Sequence, residues 1–293
     1  MKSLHDCPAP AKLNLFLHVV GRRADGYHLL QSVFQLIDRG DTLHFDLRSD
    51  GAIRRVNDVP GVPEASDLVV RALQRLATAF EERHGRAVPG IDVRLDKRLP
   101  MGGGLGGGSS DAATALMAAN RLWRGGFSDE ELMAIGLPLG ADIPFFIFGE
   151  TAFVEGIGEA MQPVDSPDCW YVVVEPGVSV PTPAIFTAHD LTRDSKPVRI
   201  TDFPEAQNIS GFGRNDLQGV AVRLFPQVGE AITWLSQYGA ARMTGSGACV
   251  FCALPGESEA NQVVRRVPGN WTAWAAKSLT QHPMKKLLQN SML

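Results

Sequence analysis

The sequence is poor in charge and in long apolar runs, and each shortage excludes a class of protein. Only 20% of its 293 residues are charged, 44% are hydrophobic, and the formal net charge is −4. This balance excludes a disordered chain, and the mild negative charge argues against a nucleic-acid or anionic-membrane partner. Even the charge-free stretch 243–256 is interrupted by glycine, serine and proline. No segment therefore offers the roughly 18 apolar residues of a membrane helix.

Cysteine is also scarce, and two of the four cysteines form the C-x-x-C motif of Cys249 and Cys252. This motif occurs in redox and zinc sites, but no second C-x-x-C or H-x-x-x-H accompanies it. Residues 248–254 have the apolar pattern of a buried strand, in which positions three apart point to opposite faces. We therefore predict that both cysteines are small buried apolar residues.

Alternation and turn signals predict an α+β protein. Strands are expected over residues 12–20, 29–37, 42–47, 91–95, 170–175, 248–254 and 271–276, and the short connections between the first three predict antiparallel pairing. Helices are expected over residues 67–84 with Ser66 as the cap, from Ser109 to 122, over 128–136 with a capping box, at Thr182-Pro183, and over 216–238 and 257–267.

The length favours two domains over one. We expect an amino-terminal domain at residues 1–153 and a carboxy-terminal domain at residues 154–278. Residues 279–293 would then form a tail, for which disorder is the expectation.

Glycine is the residue in excess, with 30 in the chain and six in the seven positions 102–108. A loop with so few Cβ atoms loses much backbone entropy on ordering and needs a reason. Close approach of backbone N–H groups to an anion is one, because the helix that follows offers free donors and a positive dipole end to phosphate. Ser109 and Ser110 can cap that helix or donate to phosphate oxygens. A flexible surface loop is the alternative.

The familiar phosphate motifs do not fit this loop. A Walker A motif requires lysine after the last glycine, where Ser109 stands. Gly102, Gly104 and Gly107 match G-x-G-x-x-G, but the acidic ribose ligand expected about 20 residues later is missing. The V-A-I-K and H-R-D motifs of protein kinases are also absent. A nucleotide site of another kind remains.

Three segments resemble, in order and separation, the GHMP kinase superfamily of small-molecule kinases. They are Pro-Ala-Lys-Leu-Asn-Leu at 10–15, the P-x-x-x-G-L-G-S-S-like loop at 100–110, and Thr-Gly-Ser-Gly-Ala at 244–248. The resemblance covers nearly the whole chain. It implies an N-terminal ATP-binding α/β domain like domain 2 of ribosomal protein S5, a C-terminal ferredoxin-like α+β domain, and an active site in the cleft between them.

Further segments narrow the resemblance to one branch of the superfamily. They are residues 9–34 with Gly-Tyr-His at 26–28, residues 140–146, and residues 176–186. That branch uses ATP to phosphorylate the 2-hydroxyl of a methylerythritol carrying a cytidine diphosphate group, in the non-mevalonate isoprenoid route.

The resemblance implies a role for each site residue. Lys12 and Asp142 would be the catalytic pair, with Asp142 accepting the proton of the substrate hydroxyl and Lys12 orienting it and offsetting charge. Tyr27 and Phe186 would enclose the cytosine ring and His28 would read its polar edge. The full substrate set is Asn14, Tyr27, His28, Asp142, Thr182, Phe186, Gly245 and Ser246. The ATP set is Pro100, Met101, Gly102, Gly103, Gly104, Leu105, Gly106, Gly107, Gly108, Ser109 and Ser110.

The residue types alone leave other readings open. Lys12 at the start of a strand is compatible with a solvated charge, and Asp142 before Ile-Pro with a turn former. Two rival functions follow. Another GHMP kinase acting on a different alcohol would keep the ATP loop without Tyr27 and His28 as base readers. A nucleotide-binding protein without catalysis would lack Lys12 or Asp142, and both are present.

The expected partners are small molecules. ATP is expected with Mg²⁺, but no carboxylate cluster of the usual binding kind is visible, so we predict no metal site built by the protein. The substrate would carry a cytidine diphosphate group, with no nucleic acid and no membrane as partner, and the protein would be a monomer or a homodimer. The amino terminus has no apolar core of a secretion signal, which predicts a soluble cytoplasmic protein.

Overall fold

The computed structural model describes residues 2–165, 168–202 and 212–290. Within these ranges, ten strands form one sheet: β1 Ser3–Arg22, β2 His28–Arg48, β3 Ile53–Arg55, β4 Gly90–Asp96, β5 Ala152–Gly156, β6 Ala160–Pro163, β7 Trp170–Glu175, β8 Arg242–Met243, β9 Val250–Leu254 and β10 Thr272–Leu279. The helices are α1 Leu68–His84, α2 Gly107–Trp123, α3 Asp129–Gly136, α4 Ile143–Phe148, α5 Thr182–Phe186, α6 Gln218–Leu224, α7 Pro226–Leu235, α8 Glu257–Val264 and α9 Pro283–Asn290. The predicted α+β content is confirmed.

The antiparallel pair β1–β2 is the centre of the first half, and it corrects the sequence prediction of two strands over 29–37 and 42–47. β2 is one strand, because the pairing passes from Gly40 opposite Pro10 to Ile37 opposite Ala11 and leaves a bulge between them. A Cβ on Gly40 would lie 2.2 Å from the carbonyl oxygen of Ala9. The glycine is therefore required by the close crossing of β1 and does not mark a loop.

β10 joins the two halves of the sheet. Ser278 and Leu279 pair with β2, whereas residues 272–277 pair with β7, which in turn pairs with β9. β5 and β6 form a hairpin on β2, so this hairpin belongs to the first part of the sheet. The domain limit at 153/154 stays a prediction, and β5 spans it. Residues 49–57 show little apolar periodicity, and no strand was predicted there. They contain β3, which pairs with β4 in parallel.

The core continues through both halves. Residues 9–19 of β1 are buried throughout, although their alternation predicts one covered face. Leu13 and Phe16 share a cluster with Tyr171 of β7 and Phe251 of β9, so strands of the second half cover side chains of β1, such as Phe16, that the alternation would leave exposed. Both faces of β1 are therefore interior, and the side chains of this strand contact both parts of the molecule.

Several helix boundaries differ from their prediction, and α8 ends at Val264, three residues before its predicted end. The cap of α1 is Asp67, whose side chain accepts from the amide of Val69 at 2.7 Å, and not Ser66. α2 begins at Gly107, two residues before Ser109. The helix predicted over 216–238 is two helices, because Pro226 cannot continue α6 and starts α7. The capping box of Ser128 and Glu131 is present.

The expectation of a disordered tail is wrong for residues 279–290. α9 packs on the first half, with Met284 fully buried, and the amide of His282 donates to the carbonyl of Gly149 at 2.7 Å. Burial, with the nearby charge of Lys285, lowers the pKa of His282 to about 3. Met284, Leu287 and Leu288 follow helical spacing after Pro283, so the sequence carried a signal for this helix that the prediction did not use.

The prediction for the C-x-x-C motif is confirmed. Cys249 and Cys252 are free and fully buried, and burial raises the pKa of the Cys252 thiol to about 12. A buried thiol with a raised pKa is a weak nucleophile, as expected of a small apolar residue.

Candidate active site

A cavity of about 1000 Å³ lies where the two halves of the chain meet. Its walls come from the β1–β2 hairpin, the glycine loop (residues 100–110), the start of α4, α5, and the TGSGA turn (residues 244–248). The lining includes every residue of the predicted catalytic, ATP and substrate sets with one exception. The exception is Ser110, which is buried and donates its hydroxyl to the carbonyl of Pro10 at 2.7 Å.

Lys12 and Asp142 meet in this cavity. The Lys12 Nζ lies 3.5 Å from Oδ2 of Asp142, and the lysine side chain is 4% exposed while that of the aspartate is 30% exposed. Asp142 occupies the N-cap position of α4, but its carboxylate makes no capping hydrogen bond. Because the carboxylate is not used by the helix, it remains available to a ligand.

Asn14 fixes the position of Lys12. Its Oδ1 accepts from the Lys12 Nζ at 2.6 Å and from the amide of Gly245 at 2.9 Å, and its Nδ2 donates to Ser32 at 3.0 Å. Since Asn14 is almost fully buried and its side chain is occupied, it holds the lysine and joins β1 to the TGSGA turn. Its predicted substrate contact stays a prediction.

The first turn of α2 faces the cavity without a side-chain cap. Gly106, the N-cap residue, has no side chain to offer, and neither Ser109 nor Ser110 caps the helix. The first N–H groups of a helix have no partner within it, and the dipole places partial positive charge there. Residues 106–109 line the cavity. This end of the cavity can therefore bind an anion such as phosphate.

Much of the glycine run is explained by close packing within the protein. A Cβ on Gly104 would lie 2.2 Å from the carbonyl oxygen of Thr244, and one on Gly103 would lie 2.9 Å from Sγ of Cys249. A Cβ on Gly106 would lie 2.9 Å from the ring of Phe146. The sequence reasoning assigned these glycines to an anion alone. It did not detect the contact with the second half.

That contact, which we call the loop–turn contact, also has its own hydrogen bonds. The amides of Ala248 and Cys249 donate to the carbonyls of Gly102 and Gly103 at 3.1 and 3.2 Å. On the other side of the TGSGA turn, the hydroxyls of Ser246 and Thr182 lie 2.7 Å apart. The shape of the glycine loop is thus fixed by the turn, and the turn is linked to α5.

Aromatic side chains occupy another end of the cavity. The rings of His28 and Phe186 are 5.0 Å apart, centre to centre, and Tyr27 is 61% exposed in the hairpin between β1 and β2. All three line the cavity. An exposed tyrosine and an aromatic pair that line the same cavity can stack on a planar ring.

Lys97 is a cavity residue that the sequence reasoning missed. Its Nζ donates to Asp41 at 2.5 Å and to Asp111 of α2 at 2.7 Å, and Oδ1 of Asp41 accepts from the amides of Arg98 and Leu99. These groups attach both ends of the glycine loop to β2. The available signal was a basic pair at 97–98 just before the loop.

Two buried carboxylates, those of Asp41 and Asp111, share the half-buried ammonium of Lys97. Burial, together with the negative charge of Asp41 and against the charge of Lys97, raises the pKa of Asp111 from 3.8 to about 8. Oδ1 of Asp111 is buried, with no hydrogen-bond partner among the described residues. Burial therefore favours the protonated form of the Asp111 carboxyl group.

Asp111→Asn should gain stability relative to the wild type as the pH rises. The pKa of Asp111 is about 8 in the folded state and 3.8 in the unfolded state. The folded wild type therefore holds this proton more tightly, and its free energy of unfolding falls as the pH rises from about 4 to about 8. Asparagine has no such dependence. Urea midpoints at about pH 5 and about pH 9 measure the difference. Asp41→Asn is the matched control and should destabilise at both pH values, because Asp41 accepts from the Lys97 Nζ with one oxygen and from two backbone amides with the other, whereas asparagine has only one acceptor oxygen. A constant difference for Asp111→Asn would contradict this assignment.

Two features are absent from residues 2–165, 168–202 and 212–290. No group of three or more His, Cys, Asp or Glu side chains there is arranged to hold a metal ion. No helix in those ranges has the length and apolar character needed to cross a membrane.

Comparison with known families gives two matches along the chain. The family model described as "GHMP kinases N terminal domain" matches residues 67–150, and the one described as "GHMP kinases C terminal" matches residues 198–273.

Similar proteins cover almost the full length. A 4-diphosphocytidyl-2-C-methyl-D-erythritol kinase of Janthinobacterium sp. (strain Marseille) is 63% identical over 288 residues, 98% of this chain and 99% of the relative. One from Herminiimonas arsenicoxydans is 60% identical over 287 residues, 98% of this chain and 99% of the relative. A crystal structure of 4-(cytidine 5′-diphospho)-2C-methyl-D-erythritol kinase superposes with a TM-score of 0.77 at 33% identity, covering 92% of this chain and 98% of that one. A homoserine kinase from Cytophaga hutchinsonii, at 14% identity and a TM-score of 0.71 over 96% of both chains, shares the fold.

Proposed function

Because the chain belongs to the GHMP kinases, and within them to the family of 4-diphosphocytidyl-2-C-methyl-D-erythritol kinases, we propose that its cavity carries out phosphoryl transfer from ATP to that compound. The reaction phosphorylates the 2-hydroxyl and gives the 2-phosphate and ADP, in the non-mevalonate route to isopentenyl diphosphate. Family membership also confirms the predicted resemblance and the two-domain fold.

One observation carries the assignment of the site. A single cavity brings together the Lys12–Asp142 pair, an uncapped helix N-terminus with its glycine loop, and an aromatic recess at Tyr27, His28 and Phe186. These are the three parts that the reaction needs: a base, a phosphate site and a site for a pyrimidine ring. The roles of individual residues below are proposals that rest on this arrangement.

The phosphates of ATP bind at the glycine loop. Backbone N–H groups of residues 106–109 donate to phosphate oxygens, and the dipole of α2 offsets part of their charge. Beyond the loop, the cavity is lined by Val59, Val62, Leu68 and Leu95. This apolar part suits the flat face of the adenine ring.

Asp142 acts as the general base. Its carboxylate accepts the proton of the 2-hydroxyl while the hydroxyl oxygen forms a bond to the γ-phosphorus and the bond from that phosphorus to the leaving ADP oxygen breaks. An alcohol is a weak acid, so the proton moves late, as the new bond advances. Lys12 orients Asp142 and offsets the negative charge on the transferred group.

The remaining expectations concern the setting of the reaction. Mg²⁺ enters with ATP as part of the substrate, since phosphoryl transfer needs a cation to bridge the phosphate oxygens. We place the protein in the cytoplasm as a monomer or homodimer, without nucleic acid as a partner.

ADP release with a panel of alcohols tests the function. The cytidyl diphosphate methylerythritol should give turnover, whereas galactose, homoserine and mevalonate should give none. Turnover with one of those three and none with the cytidyl compound would favour a different GHMP kinase.

Tyr27→Ala should raise the KM for the cytidyl substrate by roughly 5- to 150-fold, because stacking on a base contributes about 1–3 kcal/mol. The KM for ATP should stay unchanged. Tyr27 lies in the hairpin between β1 and β2 and is not one of the predicted ATP residues, which all belong to the glycine loop. Initial rates with each substrate varied in turn measure both constants. An unchanged KM for the cytidyl substrate would refute stacking by Tyr27.

A further inference from the structure

His28 has one ring nitrogen committed to the protein. It stands at the start of β2 and lines the cavity, and its Nε2 lies 3.1 Å from Nε of Arg193. Arginine has only hydrogen-bond donors and stays charged in proteins. Nε2 of His28 is therefore an acceptor in this contact and carries no proton.

Arg193 is held so that it cannot turn away. Its Nη2 donates to the carbonyls of Phe186 and Ala188 at 3.0 and 2.7 Å, and its Nη1 donates to that of Leu191 at 3.1 Å. These carbonyls belong to α5 and the segment after it, and the same Phe186 contacts the ring of His28. Four donor–acceptor pairs thus fix the guanidinium and, through it, the imidazole.

The charge around His28 agrees with a neutral ring. Burial and the positive charges of Arg193 and Arg22 lower its pKa. A neutral imidazole carries one proton, and with Nε2 accepting, that proton is on Nδ1.

We propose that Arg193 is a positioning residue that holds His28 in the neutral tautomer with the proton on Nδ1, so that His28 presents a fixed hydrogen-bond donor to the substrate base. This inference rests on the proposed function for the identity of the base. Cytosine offers two acceptors to such a donor, the ring nitrogen N3 and the carbonyl oxygen O2. A histidine free to change tautomer would present either a donor or an acceptor and would orient the base less strictly.

The tautomer can be measured without any substrate. Long-range ¹H–¹⁵N correlation spectra of the full chain near pH 7.5 distinguish protonated from unprotonated ring nitrogens, and His28→Gln identifies the His28 signals among the seven histidines. We expect a protonated Nδ1 and an unprotonated Nε2. A proton on Nε2, or a mixture of the two tautomers, would overturn the inference.

Variants show whether Arg193 is the cause. Arg193→Met removes the donor and should release His28 to a mixture of tautomers, whereas Arg193→Lys keeps one donor and should largely preserve the Nδ1 proton. Arg223→Met is the matched control: Arg223 pairs with Asp190 at 2.7 Å, and its loss should leave the His28 signals unchanged. If His28 kept a single Nδ1-protonated form in Arg193→Met, Arg193 would have no positioning role.

Kinetics separate the inference from the function it rests on. Arg193→Met should raise the KM for the cytidyl substrate on the order of 10-fold, with kcat and the KM for ATP within about 2-fold of the wild type. An unchanged KM would refute the role in base recognition. If the wild type failed to phosphorylate the cytidyl compound, the proposed function would fall while the spectra still decided the tautomer. If the wild type phosphorylated the cytidyl compound but the spectra showed a proton on Nε2 of His28, the inference about Arg193 would fail and the proposed function would stand.

Discussion

Asp142→Asn should lower kcat by about 10²- to 10⁴-fold, the usual contribution of a positioned general base, with little change in ATP affinity. Asparagine has the same size as aspartate but cannot accept a proton at this step. The pair of Lys12 Nζ and Asp142 Oδ2, 3.5 Å apart, would become an ion–dipole contact. Because the Asp142 carboxylate makes no capping bond to α4, its replacement should leave the helix intact.

Single-turnover rates and equilibrium ATP binding test this expectation. The rate of the chemical step should fall with kcat, and the Kd for ATP should stay within about 3-fold of the wild type. Asp129→Asn is the matched control, because Asp129 forms an ion pair with Lys285 on the surface and should not affect the rate. Near-normal turnover of Asp142→Asn would remove Asp142 from the base role.

Gly104→Ala should destabilise the protein by roughly 2–5 kcal/mol and weaken ATP binding. Gly104 has a φ of +73°, a region in which a residue with a Cβ costs about 1–2 kcal/mol. The new Cβ would also lie 2.2 Å from the carbonyl oxygen of Thr244, and overpacking of this kind costs about 1–3 kcal/mol. The backbone can relieve this contact only by separating the glycine loop from the TGSGA turn.

Urea unfolding and the KM for ATP measure the two effects. Gly219→Ala is the control: the residue is helical, and apart from its chain neighbours and the backbone of its own helix no described atom lies within 4 Å of a Cβ there. That change should stabilise by about 0.5–1 kcal/mol, as alanine does within a helix. Wild-type stability and ATP affinity in Gly104→Ala would show that the loop–turn contact is not needed.

The sequence predicted those features that depend on local chemistry. The strand at Trp170–Glu175 has the predicted bounds, and the capping box of Ser128 and Glu131 is present. The resemblance predicted that Lys12, Asp142, Tyr27 and Phe186 belong to one site. They lie far apart in the chain, and the structure places all four in the lining of one cavity. Alternation, helix capping and motifs involve only a few neighbouring residues, so predictions from them do not require knowledge of the fold.

Features that depend on distant contacts were missed. Gly40 reads as a turn because its reason, the approach of Ala9, lies on another strand. The role of Lys97 depends on Asp41 and Asp111, which only the fold brings to it. The glycine run was assigned to an anion because Thr244 and Cys249, which pack against Gly104 and Gly103, lie in the other half of the sequence.

The loop–turn contact also limits how such a chain can be divided or recombined. The carbonyls of Gly102 and Gly103 accept from amides near the far end of the sequence, so a loop in the first half takes its shape from the second half. A chimera that joins the first half of one relative to the second half of another must therefore match at this contact, however well each half folds. The glycine loop and the TGSGA turn are then the two segments that must be exchanged together if the nucleotide loop is to keep its shape.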